Sequence, residues 1–274
     1  MSTEHSQETG PPDLVGTVIQ ERYQIVQRLS EGGMGVVYRA MHTALQSPFA
    51  IKVLLHPQQK RAQEHFLQEA RLASKINHPN TVYIADFGVL PDQRPYLAME
   101  FLAGPTLSSL LKAGPMDPLR ACQIAVQIAR GLSAVHDKGI IHCDLKPDNV
   151  FVLKGGAKGN GPEFVKIVDF GIATSLNQDQ GPLLPDLPLP GAQAGGGTAA
   201  PGPAAGAKDP ARQTQVDPED AGRTVTRGIV GTPPYMAPEQ VRGQTLDVRV
   251  DQYALGCILY QMLAGRPPFP GEGV

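Results

Sequence analysis

The sequence has little of what marks a secreted, membrane-spanning or nucleic-acid-binding chain. Three cysteines, Cys122, Cys143 and Cys257, in 274 residues are too few for a disulfide framework, so a reducing cytoplasm is the expected location. Basic charge is not in excess. The 24 Lys and Arg stand against 26 Asp and Glu, a net charge of −2, which gives no reason to expect nucleic acid or an anionic membrane as partner. A long hydrophobic run is missing too. The nearest to one, "YALGCILYQML", is too short and interrupted to span a bilayer, which leaves open an anchor beyond Val274. The N-terminal "MSTEHSQETGPPD" has neither a basic start nor an apolar stretch and does not read as a signal peptide. No internal repeat is present, and nothing sets an oligomeric state. What remains is a chain long enough for one large domain or two packed lobes.

The pattern along the chain divides it. Residues 1–15 are polar, contain Pro-Pro and read as a disordered lead. From Tyr23, alternation predicts a strand with Tyr23, Ile25, Gln27 and Leu29 on one face. A glycine-rich turn follows, then strands at "VVYRA" and "FAIKVLL". A helix is expected over 59–76, with Phe66, Glu69, Ala73 and Ile76 near one face. That puts the Glu69 carboxylate on the buried side, where it needs a partner; Pro79 ends the helix. Strands at "TVYIADFGVL" and "PYLAMEF" complete a β-rich unit, and beyond "GPTL" the chain turns helical, with a long amphipathic helix over 119–138 closed by Gly139. "VFVL" and "FVKIVDFG" flank a hairpin-type turn. Residues 178–213 are dominated by Pro, Gly and Ala and read as disordered. The PxxP spacings there suit either an SH3-like module or flexible filler. The last helix, 250–264, is apolar nearly all round and is expected inside a larger helical body.

Four stretches carry chemistry. In "LSEGGMGVVYRA", Gly32, Gly33 and Gly35 let backbone amides approach an anion, although a glycine-rich hairpin alone is more often just a hairpin. In "AIKVL", a strand puts Ala50 and Lys52 on one face, where the lysine either pairs with Glu69 or snorkels to water. In "IIHCDLKPDNVFVL", Asp144 can accept a proton from a hydroxyl, Lys146 can hold a phosphoryl group, and Asn149 can bind a metal. In "KIVDFG", Asp169 follows an apolar strand. It is placed to hold Mg²⁺, which prefers oxygen ligands, or is an ordinary turn aspartate. The order of these pieces, with "APE" following, is what removes the ordinary readings.

In that order the chain resembles the bacterial, eukaryotic-like (Hanks-type) serine/threonine protein kinases, from about Tyr23 to Phe269. The resemblance implies an α+β, bilobal protein-kinase-like fold over 16–274. Its N-lobe, about 16–102, is β-rich with one key helix; its C-lobe, about 103–274, is mainly helical. It also implies ATP and Mg²⁺ as cofactors and a protein substrate. Leu29, Ser30, Glu31, Gly32, Gly33, Met34 and Gly35 would form the loop over the nucleotide, and Val37 and Ala50 would cover the adenine. Met99 would be the gatekeeper and Glu100–Leu102 the hinge. Lys52, paired with Glu69, would contact the α- and β-phosphates. Asp144 would be the catalytic base, Lys146 would face the γ-phosphate, and Asn149 and Asp169 would ligate Mg²⁺. "GTPPYMAPEQ" resembles a segment that positions the substrate peptide, with Thr232 able to bond to Asp144 and Lys146.

The chain departs from the family at four places. Ser30 stands where the first loop glycine is usual. Cys143 replaces an arginine that in the family pairs with a phosphorylated activation-loop residue, a pairing a thiol cannot make. The implied enzyme therefore depends little on phosphorylation of its candidate phosphosites, Thr224 and Thr226. The stretch between "DFG" and "APE" is long because of the 178–213 insertion, whose roughly 35 extra residues should cost under ~1 kcal/mol in loop closure. Finally, the chain stops at "RPPFPGEGV", before helices the family carries. The expectation is a C-terminally truncated domain that, made as given, is poorly soluble or weakly active. Two rival readings are a nucleotide-binding pseudokinase or scaffold, and a small-molecule phosphotransferase on the same fold.

Overall fold

Alternating apolar residues in the first hundred positions build a six-stranded antiparallel sheet in the order β1-β2-β3-β4-β6-β5. The strands are β1 (Val18–Ile19), β2 (Tyr23–Gly32), β3 (Gly35–His42), β4 (Pro48–Leu54), β5 (Ile84–Val89) and β6 (Pro95–Glu100). The computed structural model describes residues 13–32, 35–55, 66–67, 70–155, 161–169, 174–175 and 232–269, all in one compact unit. The expectations for the N-terminal lead, Gly33, Met34, Glu69, the 178–213 insertion, Thr224 and Thr226 lie outside these residues.

β4 is apolar on both faces because both are covered. Ile51 and Val53 join Ile25, Val36, Tyr38 and Tyr96 in a core on one side of the sheet. Ala50, with Leu97 and Met99, belongs to the larger core that continues into the C-terminal half. Period-two alternation therefore puts Lys52 on the Ala50 face, toward that half. β2 departs from its expected pattern. Tyr23 and Ile25 are buried, but the register slips between Ile25 and Gln27 and again between Arg28 and Ser30. These bulges turn Leu29 outward, to 42% exposure, away from the face it would share with Ile25.

Helical residues at 66–67 and 70–73 cover the sheet on the Lys52 side, with Ala70, Ala73 and Ile76 buried. After the short α1 (Leu107–Leu111), α2 (Pro118–His136) starts where expected. Asp117 accepts the Arg120 amide as N-cap, and Pro118 occupies the first turn. Its apolar stripe, Ile124, Ile128, Leu132 and Val135, is fully buried. β7 (Ile140–Ile141) pairs with β10 (Thr174–Ser175), and β8 (Val150–Lys154) forms an antiparallel pair with β9 (Glu163–Ile167). The short α3 (Pro238–Val241) precedes α4 (Arg249–Ala264), which closes on left-handed Gly265. Val250, Ala254, Ile258 and Met262 of α4 are buried, whereas Tyr260 and Leu263 stay 43% exposed. Among the described residues, one side of this helix is buried more fully than the other, although its sequence is apolar on more than one. Among the described residues, no helix is long and apolar enough to cross a membrane.

Candidate active site

The sheet register assembles the first half of the site. Ser30 pairs with Val37, Val37 with Lys52 and Lys52 with Leu97, so four neighbouring strands present these side chains in one row. Lys52 Nζ donates to Asp169 Oδ1 at 2.5 Å. The pair borders a small apolar pocket lined by Phe66, Ala70, Val82, Leu97 and Met99, a low-dielectric wall that strengthens the attraction. Ala50 and Met99 are buried and paired across β4 and β6, while Val37 and Leu102 are half-buried. Glu31 and Gly32 continue the hairpin opposite Val36 and Gly35. The two described glycines differ. A Cβ on Gly32 would meet nothing within 4 Å, but one on Gly35 would lie 2.4 Å from the Val53 carbonyl oxygen. Strand packing thus requires Gly35 whether or not an anion binds.

Glu100 is engaged through its side chain as well as its backbone. Its carboxylate accepts the Tyr83 amide at 2.7 Å and the Lys166 ammonium, which also donates to the Thr81 carbonyl at 3.1 Å.

The second half is the loop after β7. Asp144 accepts on both carboxylate oxygens: Oδ2 takes a bond from Lys146 Nζ at 2.7 Å, and Oδ1 one from the Thr232 hydroxyl at 2.7 Å. Lys146 Nζ also donates to Thr232 Oγ1 at 2.9 Å, closing a triangle between residues 86 positions apart. Pro147 opens a 3₁₀ turn, Pro147–Asn149, that carries Asn149 back beneath the loop. There its Nδ2 donates to the Asp144 carbonyl at 3.0 Å, leaving its amide oxygen as the group directed elsewhere. The Val168 amide donates to the Asn149 carbonyl at 2.9 Å, and His142 Nε2 meets the Val168 carbonyl at 3.2 Å. Since His142 Nδ1 accepts the Asp144 amide at 3.3 Å, Nε2 carries the hydrogen. These bonds hold the Asp144 loop against Val168, the residue before Asp169. Asp169 itself has φ 55°, a left-handed turn that lifts its carboxylate off β9.

A hard divalent ion wants carboxylate and amide oxygens, and Asn149 and Asp169 offer one of each on segments bonded to each other. Those two residues fit the ion that the sequence implies.

Three supporting residues were not found from the sequence. Asp251, 1% exposed on α4, accepts from the His142 amide (2.9 Å), the Cys143 amide (3.0 Å) and His136 Nε2 (2.7 Å). An acid two residues before the apolar run "YALGCILYQML" was the available signal. His136 closes α2, and Gln240, 6% exposed, donates to the Cys143 carbonyl at 2.8 Å. Cys143 is buried among Ile141, Ala237 and Val250, with φ 62°.

Residues 23–187 and 211–274 match the protein kinase domain family. The chain belongs to that family. This kinase domain is 35% identical over 265 residues to the serine/threonine-protein kinase pkn3 of Myxococcus xanthus, covering 95% of this chain and 41% of that one. It is 38% identical over 257 residues to pkn2 of the same organism (93% and 26%), and 32% over 262 to PknB of Mycolicibacterium smegmatis (93% and 34%). The chain therefore spans well under half the length of these relatives. The crystal structure of the PF14_0431 kinase domain superposes with a TM-score of 0.67 at 18% identity, over 96% of this chain and 70% of that one. The fold is the α+β bilobal protein kinase fold.

Proposed function

We propose that this domain is a serine/threonine protein kinase that transfers the γ-phosphoryl group of ATP to a hydroxyl on a protein. The observation that carries the reading is the triangle of Asp144, Lys146 and Thr232 beside the Lys52–Asp169 pair. A carboxylate that already accepts a hydroxyl hydrogen bond from Thr232 has the chemistry to orient an acceptor hydroxyl and take its proton. Lys146, bonded to that carboxylate, stands where negative charge on a transferring phosphoryl group would develop. Lys52 supplies a second cation, fixed by β4 and its bond to Asp169. Both act by positioning and charge stabilisation, which dominate this chemistry. Asn149 and Asp169 would hold Mg²⁺, which when bound neutralises phosphate charge. Val37 and Ala50 would cover the adenine, with Met99 as gatekeeper, the Glu100–Leu102 backbone as hinge, the 29–35 hairpin as cover and Glu69 as the second partner of Lys52.

The names of the relatives support Ser/Thr rather than Tyr as the acceptor, and the Thr232 contact supports a protein substrate aligned by the segment around it. Three free cysteines fit work in the cytoplasm. The apolar setting of Cys143 supports activity that depends little on Thr224 and Thr226 phosphorylation.

The test is incubation with Mg-ATP and a protein acceptor, read by mass spectrometry, for the domain and for Asp144→Asn. Transfer to Ser or Thr by the first, with transfer lost and nucleotide binding kept in the second, is expected. Retained turnover in Asp144→Asn would remove that residue from its role.

A further inference from the structure

Among the described residues, the substrate-side segment is fastened to the catalytic loop at two points. Thr232 is the first. The second lies behind Asp144. Cys143, its neighbour in the chain, sits at φ 62°, a region that a residue bearing a Cβ leaves readily unless held. Both its peptide groups are held. The Cys143 amide donates to Asp251 Oδ1 at 3.0 Å, and the Cys143 carbonyl accepts from Gln240 Nε2 at 2.8 Å. Gln240 Oε1 in turn accepts the Ala237 amide at 2.9 Å, at the start of α3. One buried carboxamide therefore joins the strained residue before the base to the segment that carries Thr232, and at 6% exposure water does not stand in for it. Around this bond, Cys143 packs with Ala237 and Val250, so α3 lies directly on the loop.

We propose that Gln240 is a positioning residue for phosphoryl transfer: it holds the Cys143 carbonyl in the geometry that aims Asp144 and couples that geometry to the 232–241 segment. The proposal rests on the kinase reading above. It makes a side chain of the substrate segment, rather than an activation-loop phosphate, the tie between that segment and the base.

The experiment compares the domain with Gln240→Leu, which removes both bonds, and Gln240→Glu, which keeps the shape and the acceptor for Ala237 but loses the amide donor. Peptide-phosphorylation kinetics, the affinity for a fluorescent ATP analogue, the melting temperature, and amide exchange at 140–146 are measured for each. The expected result is a kcat lowered about tenfold or more in both variants, with nucleotide affinity and the KM for ATP within about twofold. Exchange at the Cys143 and Asp144 amides should quicken. A kcat within about twofold of the parent in Gln240→Leu would overturn the proposal. So would loss of nucleotide binding and fold together in both variants, since that is the signature of a merely structural residue. If the unsubstituted domain transfers no phosphate, the kinase reading fails. The exchange comparison still decides the anchor in that case, because unchanged exchange in Gln240→Leu refutes it.

Discussion

Replacing Asp251 by asparagine probes the support of the loop with almost no change of shape. The carboxylate accepts three hydrogen bonds while 1% exposed: two at Oδ2, from His136 and the His142 amide, and one at Oδ1, from the Cys143 amide. An asparagine keeps one acceptor oxygen. Turned to serve His136 and His142, it sets its NH₂ group about 3 Å from the Cys143 N–H, donor against donor. One bond is lost outright and two lose their charge assistance. At roughly 1.5–3 kcal/mol for a bond to a charged group and about 1 for a neutral one, the loss is on the order of 2.5–7 kcal/mol. In a domain of this size that corresponds to a melting temperature lower by roughly 5–28 °C. Because the orphaned amide belongs to the residue before Asp144, kcat should fall further than the folded fraction explains. Differential scanning calorimetry through the unfolding transition, and initial rates of peptide phosphorylation well below the variant's melting temperature, measure the two effects. A melting temperature within about 2 °C of the parent would mean that the carboxylate does not carry these bonds, and the account of the loop would fail.

The two glycines of the hairpin should separate in the same assays. Gly35→Ala drives a Cβ into the Val53 carbonyl and should destabilise the unliganded domain by about 1–3 kcal/mol. Gly32→Ala meets open space, so the unliganded melting temperature should hold while the KM for ATP rises; equal melting losses in the two variants would contradict the packing argument. The cysteines should react in two classes with a thiol-specific reagent. Exposed Cys122 should label at once, while Cys143 and Cys257, each about 95% covered, should wait for denaturant, Cys257 doubly so because burial pushes its thiol pKa up. Rapid labelling of two thiols in the folded domain would refute that burial. Alanine at both Thr224 and Thr226 should lower peptide phosphorylation less than about tenfold, roughly 1.4 kcal/mol of barrier. A larger loss would show that the domain still needs the switch that Cys143 is argued to have dispensed with.

The residues proposed to carry the chemistry stand in local patterns that were legible in the chain. Phosphoryl transfer needs a lysine in a strand, a base with a cation two positions on, and oxygen ligands after an apolar strand, and these constraints act over a few residues of local spacing. Strand alternation likewise assigned Lys52 to the correct face, because a pleated strand has only two. Thr232 was legible through the resemblance, and the structure brings it onto Asp144 and Lys146.

What tertiary structure alone decided is everything carried by contacts between distant positions. The bulges in β2 moved Leu29 off its expected face, because register is set by the partner strand and not by the pattern of the strand itself. Gly35 owes its place to a carbonyl on β4. Asp251 reaches the Asp144 loop across 109 positions and Gln240 across 97, and no periodicity marks a buried acid or amide as the support of another segment. Local rules specify which side chains a strand or loop presents. Where a backbone amide finds its partner depends on how helices and sheet pack, and a buried peptide group must find one.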